Sequence, residues 1–197
     1  MATKNAITTV STALLGLLSD ARPRPGSDPA FFKLYQAKDF ATPLAEGISL
    51  FLYRVTVNLG QRNQISRPGP NGAPRKRALP LDLHYLLTPW ASNPERQQQW
   101  LGLAMRTLED HPILGAGFLN NHFPTPGVFR PDENVELVFD SMNLTELFDL
   151  WDVLKPNAQV SVGYVARMVC LESEEDLPTS GRVQHRDFDW TRPDPGA

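Results

Sequence analysis

The chain has 197 residues, of which 41% are hydrophobic and 21% charged, with 18 prolines and 13 glycines; a chain of this size buries more than half of its unfolded surface, which excludes disorder throughout. A formal charge of -3 gives no overall attraction to nucleic acid or anionic lipid, so binding of that kind would need a local basic cluster. The single cysteine, Cys170, excludes an intrachain disulfide framework and points to a cytoplasmic setting.

The first predicted element is a helix. Ile7, Val10, Leu14, Leu17 and Leu18 recur at helical spacing, while Thr8, Thr9, Ser11 and Thr12 interrupt the apolar run and Lys4 is the only basic residue before it. These features argue against a secretion signal, and no apolar run approaches the roughly 20 residues needed to cross a bilayer. Three prolines and a glycine make Asp20–Pro29 a loop, and Ala30–Gln36 reads as a short strand. A long strand follows from Ile48 to Asn58, rich in β-branched and aromatic residues. Strict alternation places Phe51, Tyr53, Val55 and Val57 on one face. On the other, Ile48, Leu50 and Leu52 give way to Arg54, Thr56 and Asn58, as if the strand leaves the core and projects outward.

A second long strand, Leu79–Ala91, carries Leu81, Leu83, Tyr85 and Leu87 on one side and Asp82, His84, Leu86 and Thr88 on the other. It is expected to pair antiparallel with the first. Between them, Gly60–Ala78 holds five positive charges (Arg62, Arg67, Arg75, Lys76 and Arg77), no acid, three prolines and three glycines. It is too long for a tight hairpin turn and reads as an extended, exposed loop.

Ser92 or Asn93 then caps a helix with Pro94 in its first turn and Trp100, Leu103, Ala104 and Leu108 at helical spacing. After Pro112, Ile113–Leu119 reads as a brief strand, and Asn134–Met142 as a strand alternating Val135, Leu137 and Phe139 against Glu136, Val138 and Asp140. Asn143 and Glu146 form a capping box for a further helix, with Leu144, Leu147, Phe148, Trp151 and Leu154 along one stripe and Lys155 and Pro156 at its end. The last strand, Gln159–Glu172, is apolar on both faces in its second half and should lie inside the sheet. The fold class is therefore α/β (α+β), a mixed and mostly antiparallel sheet flanked by helices, with Trp100, Leu103, Leu108, Phe148, Trp151 and Leu154 expected in the core. From Glu172 onward seven carboxylates face three arginines, and residues 174–197 read as an acidic C-terminal arm on a domain of residues 1–173. Phe188 and Trp190 on that arm suggest a docking element.

Signals for chemistry are sparse. His84, His111, His122 and His185 show no metal-ligand spacing. Cys170 falls in a strand expected to be buried, where it acts as a packing residue. Asp82 and His84 share a strand face but no nucleophile motif accompanies them, so they read as satisfied polar residues of a sheet surface. Gly115–Asn121 follows a helix and lacks the third glycine and the lysine of a phosphate loop, so it reads as a turn. No catalytic residue, cofactor or metal is therefore assigned. The basic loop 60–78 remains as a surface for protein docking or, alternatively, for nucleic acid or another anionic surface, although it has no aromatic residue for base stacking.

Several of these segments, in this order, carry a family resemblance. The start TKNAITTVSTALLGLL, the strand ISLFLYRVTVN with its arginine-rich loop, LPLDLHYLLTPWA, the helix leading to LEDHPIL, and MNLTELFDLWDVLKPNAQVSVGYVARMV resemble the N-terminal domain of cap proteins, also called tail terminators, of extracellular contractile injection systems. The likeness covers about residues 3 to 173. It implies a structural, non-catalytic protein with a phage tail-terminator-like fold. Such a protein forms a homohexameric ring at the end of the tube and sheath distant from the baseplate, stops polymerisation, assembles in the cytoplasm and becomes part of the particle. Its partners would be itself, the inner tube protein and the sheath protein. Arg62, Arg67, Arg75, Lys76, Arg77, Phe188 and Trp190 are then the expected contact residues.

Overall fold

A computed structural model describes residues 4–21, 31–61, 72, 75–124, 127–154, 158–173 and 175–177. Its frame is a six-stranded sheet formed by β1 (Phe32–Tyr35), β2 (Gly47–Val57), β3 (Leu79–Trp90), β4 (Ile113–Gly115), β5 (Asn134–Asp140) and β6 (Val162–Leu171). The spatial order is β1-β2-β3-β6-β5-β4. Only β1 and β2 run parallel; the other pairs are antiparallel. The mixed, mostly antiparallel sheet expected from the pattern is thus present. β6 lies inside the sheet between β3 and β5, although its last residues, Val169–Leu171, pair with β3 alone.

Among the described residues four helices cover the sheet: α1 (Ala6–Asp20), α2 (Pro94–Glu109), α3 (Ala116–Asn121) and α4 (Leu144–Leu154). The first three lie on one face, where Val10, Leu14, Trp100, Ala104, Leu108 and Leu119 close over Leu50, Leu83, Tyr85, Leu137 and Tyr164. Alternation of the strands turns Tyr35, Leu86 and Trp90 to the opposite face, where Trp151 and Leu154 of α4 and Phe40 of a 3-10 turn (Ala37–Ala41) form a smaller aromatic core. The Phe40 and Trp151 rings meet edge-on at 5.5 Å, and the Trp90 and Trp151 rings at 6.4 Å. Such geometry contributes beyond the area buried. Helices α2 and α4 begin as their sequences dictate: the Asn93 side chain accepts from the Arg96 N–H at 2.7 Å. Asn143 and Glu146 reciprocate at 2.9 and 3.2 Å in the expected capping box.

Several local expectations need correction. In β2, Leu52 pairs with Tyr85 but Arg54 pairs with His84, so Tyr53 is an extra residue. This bulge inverts the alternation, and Val55 and Val57 lie opposite Leu83 and Leu81, on the other face from Phe51 and Tyr53. The segment 113–119 is strand only to Gly115, because β5 begins at Asn134 and pairs with Ile113–Gly115 alone. The chain then turns into α3, burying Ala116 and Leu119, so Gly115–Asn121 is largely a helix and not a turn. Phe148, expected in the core, is 53% exposed, since α4 meets the sheet through Trp151 and Leu154 with Leu147 and Leu150 beside them. Leu144 and Phe148 lie at the rim of that contact. Leu103 and Cys170 are half-buried instead of enclosed.

Candidate interaction surfaces

The end of the sheet where β2 leaves and β3 enters is organised by one carboxylate. Asp82 points away from the main core and accepts from both sides: Asn58 Nδ2 donates to its oxygens at 3.1 and 3.2 Å, and the Met168 backbone N–H donates at 3.2 Å. Met168 has a φ of 66°, in the left-handed region that side chains seldom adopt. It sits where β6 carries an extra residue relative to β3, between the pairs Leu81–Val169 and Leu83–Ala166. Asp82 therefore ties the end of β2 to the β6 bulge through β3.

Next to it on the same face, His84 holds a different set of partners. Its Nε2 lies 3.1 Å from Thr56 Oγ1 and its Nδ1 lies 3.2 Å from Asp140 Oδ2, which also accepts from the Tyr53 hydroxyl at 3.3 Å. Burial, helped by the neighbouring Asp140 charge, pushes the Tyr53 phenol up to about 12. Asp82 and His84 thus serve two separate structural networks that lock β2, β3, β5 and β6 together. Among the described residues no group of histidine, cysteine and carboxylate side chains is arranged to hold a metal. His111 and His122 each hydrogen-bond a backbone carbonyl one helical turn back, both at 2.9 Å.

Of the predicted contact residues, Arg62, Arg67, Phe188 and Trp190 lie outside the described residues. Arg75, Lys76 and Arg77 lie just before β3. Lys76 and Arg77 are exposed, but Arg75 is not: its side chain retains only 14% of its exposure. Alongside it runs the acidic stretch that follows β6. Arg75 forms an antiparallel β-bridge with Asp176, and its Nε lies 3.7 Å from the Asp176 carboxylate. The Lys76 N–H donates to the Glu175 carbonyl at 3.0 Å, and the Lys76 ammonium hydrogen-bonds the Glu175 carboxylate. That bond holds the Glu175 carboxyl below the usual range. The end of the basic loop is thus clasped by the chain's own acids.

Glu175 and Asp176 were not singled out by sequence reading, although the signal existed: a loop of one charge sign and an acidic stretch of the other. A second contact near the clasp is also absent from the sequence expectations. Arg130 donates to the Glu172 carboxylate at 2.7 Å, with only 9% of the glutamate side chain exposed. Together with the backbone of Phe129 held by Asn120 at 2.9 Å in both directions, it fixes the loop before β5 against the end of β6. A cleft lies between this loop and the clasp, lined by Arg75, Pro80, Asp132, Met168, Cys170 and Glu172.

A second surface is formed by α4. Asp149 and Asp152 are exposed, and Leu144, Phe148 and Val153 are 66%, 53% and 74% exposed.

Comparison with known proteins places these features in a family. Residues 9–185 match the model of the Pvc16 N-terminal domain. No curated protein matches the sequence. Among solved structures, the chain is similar to the PVC sheath/tube terminator of an extracellular contractile injection system in its extended state. The TM-score is 0.64 at 15% identity, covering 100% of this chain and 67% of that one. It is also similar to the tube-terminating cap of the anti-feeding prophage, at a TM-score of 0.55 and 20% identity, covering 91% of this chain and 59% of that one. At these identities the likeness establishes a common fold, and in the second case the chain spans less than two thirds of the length of its relative. With the match extending from α1 past the clasp, the chain belongs to the Pvc16 N-terminal domain family.

Proposed function

We propose that this chain is a cap, or tail terminator, that ends polymerisation of the tube and sheath of a contractile injection system and stabilises the end distal to the baseplate. Family membership over residues 9–185 is the observation that carries this reading. A fold shared along the full chain with a sheath/tube terminator, and along 91% of it with a tube-terminating cap, supports it. The role requires surfaces and no catalysis. It fits a protein in which the paired polar groups of β3, Asp82 and His84, hold strands together. Residues 1–173 form the capping domain in this reading and residues 174–197 an arm. Six copies make a ring, contacting the inner tube and sheath proteins through Arg62, Arg67, Arg75, Lys76, Arg77, Phe188 and Trp190. Assembly takes place in the cytoplasm before the chain becomes part of the particle. The alternative use of loop 60–78 on nucleic acid would, like any partner contact through Arg75 and Lys76, require these two residues to exchange the carboxylates they face.

Negative-stain microscopy of particles made with and without the gene tests the role. Particles lacking the chain should have abnormal or uncontrolled lengths, and a labelled chain should mark only the end away from the baseplate. Unchanged lengths in the deletion would refute it.

A further inference from the structure

The clasp pairs the end of the basic loop, Arg75 and Lys76, with two successive acids of the same chain. We infer that Arg75 and Lys76 form a docking site for an extended acidic segment of a partner protein, and that Glu175 and Asp176 occupy it in the free chain as an internal stand-in. The inference rests on the clasp geometry and stands independently of the capping role.

Recognition in the clasp has two parts that a partner segment could reproduce. Backbone supplies one: the Arg75–Asp176 bridge and the Lys76 N–H to Glu175 carbonyl bond at 3.0 Å require only an extended strand running antiparallel to residues 75–76. Charge supplies the other: successive carboxylates meet the Arg75 guanidinium at 3.7 Å and the Lys76 ammonium. Neither part uses a side chain particular to this arm. Any extended segment with two adjacent carboxylates satisfies both.

The stand-in is also held weakly enough to be exchanged. The side chains of Glu175 and Asp176 retain 71% and 58% of their exposure, and ion pairs this exposed to solvent contribute little. Arg75, in contrast, retains only 14% of its exposure with the stretch in place and also lines the cleft, so within the clasp the arginine is the enclosed partner and the carboxylates are the solvated ones. An arm tethered by only the residues after Leu171 competes at a high effective concentration, which masks the site until a partner with better contacts arrives. Charge pairing of this kind sets orientation and partner choice.

A fluorescent peptide with the sequence of Glu172–Pro178 tests the site on the full chain by fluorescence anisotropy at low salt. Replacing the stand-in with alanine (E175A/D176A) should tighten peptide binding by about tenfold over the unaltered chain, as the tethered competitor is lost. Adding R75A/K76A to that variant should abolish the gain, with circular dichroism showing that each variant is folded. Equal affinity of the unaltered chain and E175A/D176A would overturn the inference, as would a gain that survives R75A/K76A. So would a preference of E175A/D176A for a single-stranded oligonucleotide over the peptide, since the site would then recognise phosphate.

Discussion

At the scale of single residues, Gly47 shows how closely β1 and β2 are brought together. Its φ is 127°, and a Cβ there would lie 2.0 Å from the Phe31 carbonyl oxygen, a conformation and a distance that only glycine accepts. Gly47→Ala should therefore destabilise the fold by more than about 1 kcal/mol in urea unfolding. Asp82 is a second such position. Removing its carboxylate in Asp82→Ala leaves the Asn58 amide and the N–H of the left-handed Met168 without their acceptor. A loss of roughly 1–3 kcal/mol is expected by the same measurement. An Asp82→Ala variant as stable as the parent would show that the β6 bulge needs no such support. Glu175 gives a pH dependence. Lys76 lowers its pKa in the folded chain, so the clasp contributes fully above the ordinary carboxylate range and is lost as pH falls through the lowered value. Limited proteolysis after residue 173 should accordingly speed up under acid, well before the sheet unfolds, and speed up at neutral pH in Glu175→Ala.

Among the elements, α4 divides most sharply into a holding side and an offered side. Trp151 is 2% exposed and touches Phe40 and Trp90, whereas Phe148, within the same helix, is 53% exposed. Trp151→Ala should cost about 3–5 kcal/mol, while Phe148→Ala should change stability by no more than about 0.5 kcal/mol. Chemical denaturation of both variants checks the contrast, and comparable losses would mean that Phe148 is covered in solution. The strands around the polar network behave in the opposite sense, with groups held in their neutral forms. Tyr53 is raised to about 12, and Tyr85 and Tyr164 are raised further by burial. Because unfolded tyrosine ionises near its ordinary value while these remain protonated, stability is complete below that value and falls as pH rises toward and past the folded ones. Ultraviolet titration should show delayed phenolate formation that coincides with alkaline unfolding.

For the whole molecule, most of the architecture was legible in the residues because each long element carries one dominant period along most of its length. The spacing of Val10, Leu14, Leu17 and Leu18 is met by their burial in α1, and the expectation that β6 lies inside the sheet by its place between β3 and β5. The failures are equally particular. Val55 and Val57 changed faces because a bulge at Tyr53 depends on the fit of two strands, and a period of two has no term for an inserted residue. Phe148 was misplaced because an apolar stripe states which side of a helix is greasy, not how wide its contact is. The candidate surface was legible in part. The basic residues were visible as a charge run, but their partners stand about a hundred positions away, and Lys76 meets Glu175 only because β3 and β6 are adjacent.

By itself the sequence determined the class of fold, the identity of its long elements, the capping of α2 and α4 and the family, since all of these follow from local chemistry and periodicity or from ordered motifs. Tertiary structure alone decided the strand order, the two bulges and the pairing of the basic loop with the acidic stretch. Those depend on which distant segments the packed sheet brings within hydrogen-bond reach, and contacts of that range leave no regular imprint on the residues between them.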